Sequence, residues 1–265
     1  MMLNGLFKTK MSLVQKICFS GLLIALVTIC QKLLAINYIP IVPFLRISFG
    51  GPALIIFASI FLGPIYGLAI GAISDVLGYF ILDPKMIGYL PQITAIYGVL
   101  GFVSIFIFWL VRIIKHEKLT LVIEGFVFAC LITFVTIYIF VNPNLQLYGT
   151  TYALVLWQKI LIPVIMFVLL SGLFVSSILF NLHYRKENIA LSPVCISFSC
   201  FIIELLIMVM FGSLMKGSAF GFNTYPMILI CQIIVMFINV PLNTWLLILL
   251  LRICNRFIIK KDEQL

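Results

Sequence analysis

Long apolar stretches separated by short polar breaks run through this chain from near its start to near its end. They lie near residues 17–37, 52–63, 65–82, 90–113, 120–141, 151–181, 191–213 and 225–253. Most approach or exceed the roughly 20 residues that a helix needs to cross a bilayer. The pattern predicts an all-α polytopic membrane protein with about eight transmembrane helices. The second and third stretches are short and parted only by "LGPIYG", so Gly63-Pro64 predicts a sharp reversal or kink. Backbone groups freed by such a turn need protein partners within the bilayer, so the pair is expected to be buried among other helices.

Composition strengthens the pattern. Of 265 residues, 64% are hydrophobic and 9% charged, and the mean hydropathy is +1.26. A soluble domain carries about 25% charged residues. The basic residues also orient the bundle. With the N-terminus inside, Lys8, Lys10, Lys16, Arg112, Lys115, Lys118, Arg185, Lys186, Arg252, Arg256, Lys260 and Lys261 all fall on the cytoplasmic side. Arg46, Lys85 and Lys216 fall outside. This positive-inside bias predicts cytoplasmic termini and accounts for the +9 formal charge without a nucleic-acid partner. Residues 17–37 run into "NYIPIVPF" without a small-residue cleavage site, so they read as a helix rather than a signal peptide. A single membrane domain over 1–265 is expected. It comprises a cytoplasmic segment 1–16, four helices over 17–113, C-terminal helices over 120–253 and a basic tail 254–265.

Seven cysteines are scattered through apolar stretches with no CxxC spacing and read as core-filling side chains. The two histidines, His116 and His183, fall in cytoplasmic loops, so neither a metal nor another cofactor is expected inside the bundle. "TYALVLWQKILIPVIMFVLLSGLF" at 151 and "TYPMILICQIIVMFINVPLNTWLL" at 224 both open on Thr-Tyr and carry a proline within the apolar run. A duplicated helix pair, 120–181 and 191–253, would produce this echo, and so would chance similarity between apolar sequences.

Charged side chains within spanning helices are costly and usually face a cavity or a partner. Lys32, Asp75, Lys159 and Glu204 are the candidates, whereas Glu124, near a helix end, is expected to reach the interface. Gly63, Gly67 and Gly71 precede Asp75 at intervals of four and Tyr79 follows at the same interval, so all share one helix face. The glycines permit close helix approach. Asp75 either bonds a neighbouring helix or, with Tyr79, lines an outward pocket. Arg46, flanked by Phe44, Leu45 and Phe49, suits an anion clamp or a headgroup-seeking charge. Lys159, just before Pro163, suits a pocket cation or a salt-bridge partner. Lys32 and Glu204 are assigned to structure. No GxxxxGK[ST], HExxH or GxSxG occurs, and no His–Asp–Glu ladder suits proton relay. The 24 Phe, 10 Tyr and 3 Trp suit an aromatic-lined small-molecule site.

The stretch "FLRISFGGPALIIFASIFLGPIYGLAIGAISDVLGYFI" resembles the signature region of folate-family S components, the substrate-specificity subunits of energy-coupling-factor (ECF) vitamin transporters. The matching elements are Arg46-Ile47-Ser48-Phe49-Gly50, Leu62-Gly63-Pro64 and Asp75-Val76-Leu77-Gly78-Tyr79, with the strong match over roughly 44–82. The resemblance implies a six-helix core, here extended by a helix pair. It also implies a vitamin held at the outer face, and docking onto a transmembrane coupling subunit driven by two ATPases. Gly21 and Ala25 in the first helix fit the small-residue docking surface. Arg46, Asp75, Tyr79, Tyr89 and Lys159 become candidate substrate contacts. Asp75 would accept hydrogen bonds from a heterocycle, and Arg46 and Lys159 would meet glutamate carboxylates. The run Tyr89-Leu90-Pro91-Gln92-Ile93-Thr94 keeps the family's Pro and Thr but lacks its Gly-Phe, which separates the folate assignment from the S-component assignment. Riboflavin, pantothenate, thiamine or another metabolite are the alternative ligands. An assembly subunit without a ligand and a membrane-embedded enzyme are the alternatives from other classes. The implied location is the bacterial plasma membrane.

Overall fold

The computed structural model describes residues 11–35, 50–82, 89–114, 117–142, 144–147, 150–184, 192–221 and 224–262. Arg46 lies outside them. In chain order the elements are α1 (Leu13–Thr28, continued by a π-helical turn Ile29–Leu33), α2 (Gly51–Leu62), α3 (Pro64–Leu82), α4 (Pro91–Ile113) and α5 (Glu117–Val141). A short antiparallel hairpin follows, β1 (Asn144–Leu147) and β2 (Thr150–Ala153), with Leu145 opposite Tyr152. Then come α6 (Leu156–Tyr184), α7 (Pro193–Ile203), a π-helical segment Glu204–Phe211, α8 (Gly212–Phe220) and α9 (Tyr225–Asp262). Among the described residues, 7 helical runs are long and apolar enough to cross a membrane, and Gly51–Leu62 is a shorter apolar helix. Their outer faces carry large apolar side chains such as Phe126, 69% exposed. A water-soluble domain does not present such surfaces on every side, whereas lipid accepts them.

The predicted reversal is present. α2 ends at Leu62, Gly63 adopts φ 113, a left-handed conformation that a side chain disfavours, and Pro64 opens α3 with its ring-fixed φ. Both residues are buried. All twelve residues of α2 are buried too, because α1, α3, α4 and α9 enclose it.

Side-chain pairs give the helix directions. Lys16 lies over the Tyr66 ring at 6.0 Å, and Thr28 Oγ1 donates to the Ser74 carbonyl at 3.3 Å, so α1 and α3 run parallel. Phe19 meets Phe57 and Phe61, with centroids at 6.5 and 5.7 Å, while Gly51 lies against Gln31, so α2 runs the opposite way between them. α3 and α4 are antiparallel and very close: Gly67 and Gly101 face each other backbone to backbone, and Gly71 faces the Tyr97 carbonyl. The glycine stripe is thus a packing seam that brings the α3 backbone against α4.

The second half packs around α7 and α9. Phe128 of α5 contacts Phe201 and Phe237 with centroids 4.7 and 4.8 Å away. Asn181 Nδ2 donates to Glu117 Oε2 at 3.2 Å between α6 and α5, and Trp245 Nε1 donates to Ser176 Oγ at 2.8 Å between α9 and α6. α4 lies against α7 and α8 and joins the two halves.

Candidate functional site

The α3–α4 seam leads to a polar cluster at the end of α3. Asp75, 5% exposed, follows Gly67 and Gly71 along the same face and so points at α4 rather than outward. Thr94, in the first turn of α4, donates from Oγ1 to Asp75 Oδ2 at 2.7 Å. Tyr89 lies just before that helix, whose start is set by Pro91 after the extended Leu90. Its hydroxyl is 2.7 Å from Thr94 Oγ1. A threonine hydroxyl has one hydrogen, and it is used on Asp75, so Tyr89 is the donor in that second bond. The result is a directional chain from an exposed phenol through a half-buried hydroxyl to a buried carboxylate.

Aromatic rings border this chain. Tyr79 and Tyr89 have centroids 5.4 Å apart, tilted by 57°. Phe80 stacks on Tyr89 at 6.0 Å and meets Tyr79 edge-on at 5.2 Å. On the α1 side, Lys32 drapes its aliphatic stem over Gly78, where an added Cβ would come 2.8 Å from Lys32 Cε. Gly78 is three residues from Asp75 and shares its face. The cluster therefore offers a carboxylate acceptor, a phenol, two hydroxyl-bearing side chains in series and flat apolar rings beside a lysine stem.

Of the five proposed substrate contacts, Asp75, Tyr79 and Tyr89 come together. Lys159 is half-buried in the first turn of α6, a helix that packs on α5, α7 and α9. No hydrogen bond or ion pair among the described residues joins it to the Asp75 cluster. Gly21 and Ala25 are exposed on α1, and nothing lies within 4 Å of a Cβ built at Gly21. That face is open to lipid or to a partner. Thr94, which sequence reasoning did not single out, is the central link of the cluster, and Lys32, assigned to structure, borders it.

Glu124 requires a correction. It does not reach the interface: it is fully buried, and Ser197 Oγ of α7 donates to its Oε1 at 3.0 Å. α7 packs over this part of α5 and removes it from the surface despite its nearness to the helix end. Glu204 is buried as well and accepts from Asn243 Nδ2 at 2.7 Å.

Fold and surface together define a multi-pass helical membrane protein. Comparison with protein-family models, with curated proteins and with solved structures finds no match to this chain.

Proposed function

We propose that the chain is a substrate-binding S component of an ECF-type transporter. In this reading it captures a small heterocyclic vitamin at the Asp75 end of the bundle, which faces outward, with both termini cytoplasmic. The observation that carries the reading is the Tyr89–Thr94–Asp75 chain beside the rings of Tyr79 and Phe80. A carboxylate held away from lipid accepts hydrogen bonds from ring N–H groups, and flanking aromatics stack on a planar ligand. Folate is the first candidate, because a pterin edge presents such donors. Riboflavin, pantothenate or thiamine are the alternatives favoured by the missing Gly-Phe after Pro91. The open face of Gly21 and Ala25 suits close approach by a helix of a coupling subunit, which with two ATPases would supply the energy.

The test is affinity purification of the full chain from a bacterial membrane, with mass spectrometry of both proteins and small molecules that accompany it. Recovery of ECF ATPases and a vitamin is the expected result. A chain that carries neither a metabolite nor a coupling module overturns the reading.

A further inference from the structure

The junction of α5, α6 and α7 holds a buried acid that the proposed vitamin site does not use. Glu124 of α5 is fully buried, and its Oε1 accepts from Ser197 Oγ of α7 at 3.0 Å. Its other oxygen, Oε2, is buried without a hydrogen-bond partner, and no ion pair among the described residues reaches it. Ser177 of α6 is 1% exposed, and its Oγ is buried without a partner as well. Orphaned polar atoms of this kind are costly in a dry interior unless something polar lies against them.

Two contacts fix where these groups stand. α5 and α6 are antiparallel: Asn181 Nδ2 donates to Glu117 Oε2 at 3.2 Å, and Phe174 lies against Gly125, where an added Cβ would come 3.3 Å from its ring. Ser177 lies between Phe174 and Asn181 on α6. Glu124 lies between Glu117 and Gly125 on α5, and its side chain leans back toward the start of that helix. The two groups therefore stand at one level. Around α6, Phe174 and Asn181 point at α5, and Ser176 points at Trp245 of α9. That leaves Ser177 pointing between α5 and α9, where α7 packs on all three helices and carries Ser197.

We propose that Glu124 binds a proton at Oε2, shares it with Ser177 through one bridging water, and exchanges it with solvent at the Glu117 end of α5. Ser197 donates to Oε1, so that oxygen serves as the carbonyl of a neutral acid and Oε2 carries the hydrogen. A water between Oε2, Ser177 Oγ and Ser197 Oγ has the roughly three polar partners that buried waters usually have. One carboxylate and two hydroxyls fall short of the six or so oxygens that calcium or magnesium gathers. Among the described residues there is also no group of three His, Cys, Asp or Glu of the kind a transition metal takes. The titratable groups on the packed elements are Glu117, two turns earlier on α5, Cys200 and Glu204, one and two turns beyond Ser197, and Arg252, two turns beyond Trp245 on α9. Glu117 and Asn181 are half-buried at the ends of their helices and give the route to solvent. The site shares no residue with the Asp75 cluster, so its proton is read without any vitamin present.

The experiment is infrared spectroscopy of the purified full chain in detergent at neutral pH, in light and heavy water. A protonated carboxyl has a C=O stretch that an ionised carboxylate lacks. Such a band is expected in the wild type, shifted to lower frequency once heavy water has exchanged the proton. It should vanish in Glu124→Gln, remain in Glu204→Gln, and move to higher frequency in Ser177→Ala, where the bridge loses a partner. Should Glu124→Gln fail to fold, the deuterium shift in the wild type and the frequency change in Ser177→Ala decide. An acid band that survives in full in Glu124→Gln, one that keeps its position in Ser177→Ala, or one that heavy water never shifts each overturns the proposal.

Discussion

Thr94 gives its only hydroxyl hydrogen to Asp75 across 2.7 Å, and this bond ties α4 to α3 where their glycine seam ends. The bond completes the burial of a carboxylate that a membrane interior would otherwise reject. Replacing Thr94 with Val keeps the shape and removes the donor. A hydrogen bond to a charged group contributes about 1.5–3 kcal/mol, so Thr94→Val should lower unfolding stability in detergent by that order. Asp75→Asn with Thr94 retained should cost less, since the amide oxygen still accepts. Equal Tm for Thr94→Val and wild type would show that the bond carries no weight.

The seam itself makes a geometric prediction. A methyl at Gly71 meets the Tyr97 carbonyl and one at Gly101 meets the Gly67 backbone, neither of which can rotate away. Gly71→Ala and Gly101→Ala should each destabilise by about 1–3 kcal/mol, the usual cost of overpacking. Gly21→Ala meets nothing and should keep or raise Tm through better helix propensity. If Gly21 is a docking position, a bulkier Gly21→Leu should leave the isolated chain stable while weakening recovery of a coupling subunit.

Gly63 at φ 113 predicts a further cost. Gly63→Ala forces a side chain into a left-handed turn at the buried junction of α2 and α3 and should cost on the order of 1–3 kcal/mol. A thermal-unfolding series with Ser59→Ala as a neighbouring control checks this; an unchanged Tm would mean that the turn relaxes freely.

Glu124 has one oxygen bonded to Ser197 and the other buried without a hydrogen-bond partner. An ionised group there is poorly compensated. Glu124→Gln, which keeps the acceptor for Ser197, should therefore hold or raise Tm at neutral pH, while Glu124→Lys should abolish stable expression. A marked fall in Tm for Glu124→Gln would reveal a positive partner for the carboxylate.

Much of this architecture is legible in the chain's hydropathy. Each of the apolar stretches becomes a helical run, and "LGPIYG" reads as a reversal because Gly and Pro leave the backbone little choice there. Other features escape for identifiable reasons. The stretch assigned to a helix from 151 contains Thr151 and Tyr152, which pair instead in the hairpin; both types favour strands. The last helix runs past 253 to Asp262, a stretch in which Arg256, Lys260 and Lys261 are good helix formers. Thr94 escapes because a hydroxyl in a membrane helix ordinarily bonds its own preceding turn, as Thr133 and Thr136 do. Glu124 is misplaced because distance from a helix end does not reveal which neighbour covers it. Asp75 is legible because its glycine spacing encodes both the face and the closeness of the partner helix.

The most direct measurement is calorimetric titration of the purified chain with folate, riboflavin, pantothenate and thiamine, repeated with Asp75→Asn and Tyr89→Phe. The account expects one of them to bind the wild type and to bind Asp75→Asn at least about tenfold more weakly, the equivalent of roughly 1.4 kcal/mol, with a smaller loss in Tyr89→Phe. Binding of none of the four, or the same affinity in wild type and both variants, would contradict it.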